Sequence, residues 1–106
     1  ATETVRCLLN TVPPAVTGIA FLSGGQSKER SSAHLNYMNT NFRYKCPWRV
    51  TFSSASAIQQ PALDHWACNE KNVAEAQKLL VQRAKLNSAA SAGTYSEEME
   101  KQPALV

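Results

Sequence analysis

The sequence lacks the marks of a secreted, a membrane-spanning or a disulfide-stabilised chain. Its three cysteines, Cys7, Cys46 and Cys68, are odd in number and widely spaced, which favours reduced thiols in a cytosolic protein. No apolar run approaches the roughly 18 residues that span a bilayer. The polar, acidic N-terminus does not resemble a signal peptide, and the missing initiator Met fits processing or a start within a longer chain.

The sequence also lacks a concentrated patch of one charge. Charged residues make up only 18% of the 106 residues, the formal net charge is +3, and basic residues alternate with acidic ones. Because binding to nucleic-acid phosphates needs clustered basic residues, we expect a solvated surface with no nucleic-acid or membrane partner. A hydrophobic fraction of 43% is normal for a small globular domain or a portion of a larger one.

Two short apolar runs, 16–22 and 48–52, predict strands, and each is followed by a polar loop. The first run is nearly continuous, which is typical of a strand buried on both faces of a parallel sheet. Strands that alternate with helices favour an α/β fold built from βαβ units. Two such strands need neighbours that this sequence does not supply.

Local signals place the helices around these strands. A first helix ends before Pro13, and Ser27 can cap a second over 28–39, followed by a polar loop over 40–45. A third over 55–66 contains Pro61, which predicts a kink, a restart or a shorter helix. A fourth begins at Asn69 or Asn72 and ends at Gly93. We therefore expect one folded portion over 1–93 and a mobile C-terminal tail over 94–106.

The sharpest candidate site is the loop Ser23-Gly24-Gly25-Gln26-Ser27 after the first strand. Glycines let backbone amides approach an anion, and the helix N-terminus beyond adds unpaired amides and a partial positive charge. An ordinary strand-to-helix loop remains an alternative. The donor-rich loop 53–56 follows the second strand, and in a barrel both loops would open on the same face. Together they predict a phosphate cradle.

Other polar residues are interpreted as structural. His65, Cys68 and Asp64 are too few for a metal or Cys-His site, and His34 has no evident partner. A Schiff-base lysine must be desolvated or lie beside another cation, whereas the helical lysines considered are expected to be exposed: Lys28, Lys78 and Lys85. Trp48 and Trp66 are expected in the core or an interface.

The stretch 11–18 followed by 21–27 closely resembles the segment around the seventh barrel strand of class I fructose-1,6-bisphosphate aldolases. Further similarity covers the next helix, the eighth strand with its loop, and the final helix, at residues 35–36, 38–39, 47–48, 51–53, 57–59, 83–84, 87–88 and 93–95. The resemblance thus extends over essentially the whole chain to Tyr95.

This resemblance implies part of a cytosolic (βα)₈ TIM barrel, usually a homotetramer, that cleaves fructose 1,6-bisphosphate to two triose phosphates in glycolysis. It implies no metal and no cofactor, because a lysine forms the imine that serves as the electron sink. In the family, that lysine and the acid–base carboxylates lie on earlier strands, which are not in this sequence. We therefore assign no catalytic residue here and predict that the chain alone does not cleave the substrate.

The resemblance also implies which residues contact phosphate. Ser23 and Gly24 match the loop that binds the ketose C1 phosphate, and Ala55 and Ser56 match a Gly-Arg pair that completes the site. The arginine expected at Ser56 is absent. A charge-assisted bond contributes about 1.5–3 kcal/mol, so phosphate binding should weaken on the order of 10- to 100-fold.

Two other interpretations stay open. A truncated or diverged aldolase relative could serve as a non-catalytic binding or interaction module, which the missing arginine favours. An unrelated phosphate-binding βα domain would rest only on the loop Ser23-Gly24-Gly25.

Overall fold

Helices and parallel strands alternate in the computed structural model, which describes residues 1–22 and 24–103. In chain order the regular elements are α1 (Thr2–Thr11), β1 (Gly18–Leu22), α2 (Lys28–Asn41), β2 (Arg49–Ser53), α3 (Ser56–Trp66), a 3₁₀ turn (Glu70–Asn72), α4 (Val73–Ala92) and a second 3₁₀ turn (Glu97–Lys101). The α/β alternation predicted from the sequence is confirmed.

The two strands form one parallel ladder whose faces differ. Ile19 pairs with Val50, and Phe21 pairs with Phe52. These four side chains lie on the face toward the helices, where the two phenyl rings meet edge to face with centroids 5.8 Å apart. Val50 belongs to the central core, which also contains Val5, Leu35, Met38, Leu86, Ala90 and Tyr95.

The other face of the sheet is exposed, so the prediction of strands buried on both faces is wrong for this structure. Exposed and covered residues alternate along each strand, and Leu22 keeps 82% of its surface in contact with solvent. The physical reason is the small sheet. Among the described residues, two strands have helices on one side and no element that covers the other.

Helix α2 begins as predicted but ends later. The Ser27 side chain accepts a hydrogen bond from the Arg30 amide at 3.2 Å, which caps the first turn. At the other end, the helix continues through Thr40 and Asn41, two residues assigned to a loop from their polarity. The Thr40 hydroxyl donates to the carbonyl of Gly93 at 3.3 Å, so a contact with a distant segment supports the additional residues.

Helix α3 runs through Pro61 without interruption, and the predicted restart or shortening does not occur. Proline has no amide hydrogen, so Pro61 cannot bond to the carbonyl of Ala57 four residues earlier. Arg83 Nε donates to that carbonyl at 2.8 Å and replaces the missing donor. The helix ends at Trp66, and the next two residues, Ala67 and Cys68, both have positive φ (+47° and +57°).

Helix α4 ends at Gly93 as predicted, with φ +75°. Asn69 accepts from the Lys71 amide and caps the 3₁₀ turn that precedes α4, so it marks the start of this region. Beyond Gly93, Tyr95 is buried and the turn Glu97–Lys101 contacts α2. The mobility of the tail over 94–106 and the boundary after residue 93 stay predictions.

Within residues 1–22 and 24–103, no helix is both long enough and apolar enough to cross a bilayer.

Candidate functional site

The register of the two strands brings the candidate loops together. Leu22 is paired with Ser53 at the last position of the parallel ladder. Neighbouring strands lie about 4.8 Å apart, so the loops that leave these two residues start side by side at the same edge of the sheet. This edge is the carboxyl end of both strands, where ligands bind in (βα)₈ barrels.

The first loop is open where a ligand would approach. Gly24 is exposed, and a Cβ added there would meet nothing within 4 Å. Gly25 has φ +77°, a conformation that residues with a Cβ rarely adopt. Ser23, the first predicted phosphate contact, lies outside the described residues. Gly24 therefore offers its backbone without steric hindrance.

His34 contacts the last part of this loop, so the expectation that it lacks a partner is wrong. Its Nδ1 lies 2.7 Å from Gln26 Oε1, a hydrogen bond between α2 and the loop. Burial, and then the positive charges of the amino terminus and Arg30, lower the pKa of His34. A neutral imidazole with its proton on Nδ1 satisfies the Gln26 oxygen.

The carboxylate of Glu29 already lies in the first turn of α2. Burial alone would raise the pKa of Glu29, but hydrogen bonds from its own amide and from Ser27, with the charge of Lys28, lower the pKa overall. Lys28 Nζ lies 3.6 Å from Glu29 Oε1. A phosphate bound near this turn would compete with Glu29 for the same donors and the same lysine.

The second loop presents an uncapped helix N-terminus. Ala55 precedes α3 with φ −97° and ψ −71°, and it makes no side-chain cap hydrogen bond. These angles are accessible to alanine, so replacing glycine there does not strain the backbone. Ser56 is the exposed first residue of α3. The first amides of a helix have no intrahelical partner and can face an anion, although the Ile58 amide here already donates to the Ala55 carbonyl at 3.3 Å.

A cavity of about 290 Å³ opens between the N-terminal ends of α2 and α3. It is lined by both loops, through Gln26, Ser27 and Ser56, and by Lys28 and Asp64 among others. The two loops predicted from the sequence thus share one opening, which carries two hydroxyl groups, two side-chain amides, a cation and one acid.

Of the residues interpreted as structural, Lys28 and Asp64 line this cavity, whereas His65, Trp48 and Trp66 do not. His65 Nε2 lies 2.7 Å from Glu75 Oε2 at the surface. Within the described part of the chain, no three His, Cys, Asp or Glu side chains cluster closely enough to hold a metal ion. Trp48 is buried, and its Nε1 donates to the carbonyl of Pro13, whereas Trp66 is 38% exposed in an apolar groove between α3 and α4.

The structural role of one residue near the site was not predicted from the sequence. Arg83, on α4, is only 3% exposed and bonds to the first turns of both α2 and α3. A single arginine in a helical pattern normally lies at the surface, so composition and spacing give no signal for it.

Comparison with known proteins identifies the family that this chain resembles. The family model for class-I fructose-bisphosphate aldolases matches residues 1–105. The chain is 50% identical over 95 residues to the cytoplasmic aldolase isozyme of Spinacia oleracea, covering 90% of this chain and 26% of that protein. It is 46% identical over 104 residues to chloroplastic aldolase 1 of Arabidopsis thaliana, covering 98% of this chain and 25% of that protein.

A solved structure shows the same fold. It is the aldolase of Plasmodium falciparum in complex with TRAP and a small-molecule inhibitor, with a TM-score of 0.84 and 46% sequence identity over 90% of this chain and 27% of that chain. The two strand–loop–helix units are thus a portion of a (βα)₈ barrel, and the chain spans about a quarter of the length of the relatives that it matches. The chain belongs to the family of class-I fructose-bisphosphate aldolases.

Proposed function

We propose that this chain forms part of the C1-phosphate site of a Schiff-base aldolase acting on fructose 1,6-bisphosphate and triose phosphates. One observation carries the proposal: Leu22 and Ser53 are paired at the carboxyl edge of the sheet, so the loops with Gly24 and Ser56 start side by side. Family membership supports phosphate as the anion.

The role of this portion is binding and orientation. Gly24 would contribute its amide, and Ala55 and Ser56 would contribute the uncapped first turn of α3. Ser23 would add a hydroxyl donor. A bound phosphate fixes the position of the ketose carbons relative to a reactive lysine that this sequence does not contain. Accurate placement of this kind accounts for a large part of catalysis by proximity.

The setting of this function is also a proposal. The whole protein would be a cytoplasmic homotetramer in glycolysis, although its relatives include both cytoplasmic and chloroplastic forms. No cofactor or metal would take part. The rest of an aldolase barrel is the partner that the uncovered face of the sheet requires.

A chimera provides the direct test. The matching quarter of the spinach cytoplasmic isozyme would be replaced by this chain, and cleavage of fructose 1,6-bisphosphate would be followed by triose phosphate release. Ser56→Arg adds the charged donor expected in the family, and should lower KM on the order of 10- to 100-fold. Ser96→Arg adds the same charge at an exposed position beyond α4 and should leave KM unchanged.

Two results would argue against the proposal. A folded chimera in which Ser56→Arg and Ser96→Arg have equal effects would show that Ser56 does not face the phosphate. Cleavage by the isolated 106-residue chain, with trapping by borohydride, would show that the reactive amine is here after all. For the isolated chain we expect phosphate binding of about 1 mM or weaker, reduced further by Ser23→Ala.

A non-catalytic binding module is the second candidate. The serine at position 56 favours it, because the family's arginine is replaced by a residue without charge. This candidate gains support if the chimera folds and binds phosphate but does not turn over, even with Ser56→Arg.

A further inference from the structure

Arg83, on α4, contacts three other segments through its buried guanidinium group. Its Nε donates to the carbonyl of Ala57 at 2.8 Å, and Nη2 donates to the carbonyl of Lys28 at 3.1 Å and to the Ser32 hydroxyl at 3.0 Å. Its Nη1 lies 2.7 Å from both carboxylate oxygens of Glu100. These partners belong to α2, α3 and the turn after α4.

The positions of the two carbonyls connect this group to the candidate site. Lys28 is the first residue of α2 and directly follows the first loop, while Ala57 is the second residue of α3 and follows Ser56. Both carbonyls therefore belong to the helical turns that begin where the loops end. The Ala57 carbonyl depends on Arg83 in particular, because Pro61 cannot donate to it.

Glu100 keeps the guanidinium in this position. The Arg83 side chain is 3% exposed and that of Glu100 is 18% exposed, so the ion pair is shielded from water. The Tyr95 hydroxyl donates to Glu100 Oε1 at 3.0 Å and fixes the carboxylate from the other side. An unpaired charge at this depth would be strongly unfavourable. The turn Glu97–Lys101, which carries Glu100, is therefore expected to stay packed against Arg83.

We propose that Arg83 is a positioning residue for phosphate binding, because it fixes the first turns of α2 and α3 relative to each other. The proposal rests on the proposed function, which gives the two loops a common ligand. Arg83 itself does not contact the phosphate. Through Glu100, the turn that follows α4 becomes part of the support of the site.

The substitution Arg83→Lys separates the geometry of the side chain from its charge. It keeps the positive charge but lacks the planar fork that reaches several acceptors at once. Arg83→Lys should therefore loosen the two helical turns without removing the partner of Glu100. Leu86→Val, a core substitution on the same helix, serves as a control that lowers stability without touching either loop.

Hydrogen exchange tests, without any ligand, whether Arg83 fixes the first turns of α2 and α3. The Ser31 amide donates to the Ser27 carbonyl, and the Gln59 amide donates to the Ala55 carbonyl, one in the first turn of each helix. In the 106-residue chain, Arg83→Lys should speed exchange at both by about tenfold relative to the Phe42 amide at the far end of α2. Leu86→Val should leave these ratios unchanged.

Titration with inorganic phosphate tests the link to binding. NMR shifts of the Gly24 and Ser56 amides report the Kd of the folded molecules alone, so lower stability does not affect the reading. Arg83→Lys should raise this Kd by about three- to tenfold, and Leu86→Val should not.

Each contrary result has a distinct meaning. Unchanged exchange ratios at Ser31 and Gln59 would overturn the positioning role whether or not phosphate binds. Faster exchange with an unaltered Kd would overturn it as well, since the arginine would then support the fold alone. If phosphate well above about 1 mM shifts neither the Gly24 nor the Ser56 amide in the unmodified chain, this inference fails, whereas the proposed function is decided separately by the chimera.

Discussion

Alkaline pH should lower the stability of the folded chain by an amount that follows from the surroundings of Tyr95. Tyr95 is only 7% exposed, and its hydroxyl donates to Glu100. Burial, and then the hydrogen bond and charge of Glu100, raise the pKa of Tyr95 from 10.0 to about 12. The unfolded chain loses the phenolic proton first, so this contribution to stability is complete below pH 10 and is lost as the pH rises toward 12.

The size of the effect follows from the shift. One pKa unit corresponds to about 1.36 kcal/mol, so the full loss is about 2.7 kcal/mol, of which about 1.4 kcal/mol is lost by pH 11. Tyr95→Phe cannot ionise, but it lacks a hydrogen bond to a charged carboxylate, which contributes about 1.5 kcal/mol. The unmodified chain should therefore be the more stable of the two near neutral pH, and the difference should vanish at about pH 11.

Urea denaturation of both proteins at several pH values measures this difference. The comparison removes the effects of lysines and other groups that both chains share. The phenolate absorbance of the unmodified chain minus that of Tyr95→Phe reports the titration of Tyr95 directly. A midpoint near 10 in that difference, or a stability gap that stays constant up to about pH 11, would refute the reasoning.

Two further predictions concern left-handed backbone positions, and urea denaturation checks both. Gly93→Ala should cost about 1–2 kcal/mol, because φ is +75° and the new Cβ would lie 3.3 Å from Thr40 Oγ1; an unchanged midpoint would contradict this. Ala67→Gly should stabilise the chain by about 0.5–1 kcal/mol, because Ala67 has φ +47° at the end of α3. Its control, Ala84→Gly in the exposed middle of α4, should instead cost about 1 kcal/mol, and equal effects at both sites would argue against the backbone explanation.

Short-range signals were sufficient for most of the fold. Ser27 caps α2, Gly93 ends α4, and the strands follow the two apolar runs within two residues at each end. Each of these features depends on chemistry within a few residues, such as a hydroxyl group that accepts an amide or a glycine that adopts positive φ. The sequence contains that chemistry in full.

Features that depend on distant residues were not predicted. The extension of α2 through Thr40 is supported by Gly93, 53 residues away. Continuity of α3 at Pro61 depends on Arg83, which is 26 residues from its acceptor, Ala57. Apolar character alone also does not show which residues of α4 are buried: Leu80 is 40% exposed whereas Leu86 is buried, because the second half of α4 reaches the central core.

The candidate site was predicted as two loops, and the structure adds how they are held. Sequence patterns identified the segments around Gly24 and Ser56 but not their common support. That support is a buried arginine whose acceptors are backbone carbonyls, which have no residue-specific signature. The candidate loops were therefore easier to find in this chain than the residue that we propose positions them.

The exposed face of the sheet bears on how strongly these loops can bind. Leu22, at the edge from which the first loop leaves, is 82% exposed, so water has free access to the neighbouring amides. Hydrogen bonds and charges act more strongly where water is excluded. Covering this face with the remaining strands of a barrel would both bury Leu22 and remove that water. Phosphate affinity at Gly24 and Ser56 should accordingly be higher in the chimera than in the isolated chain, and equal affinities would show that the uncovered face does not limit binding.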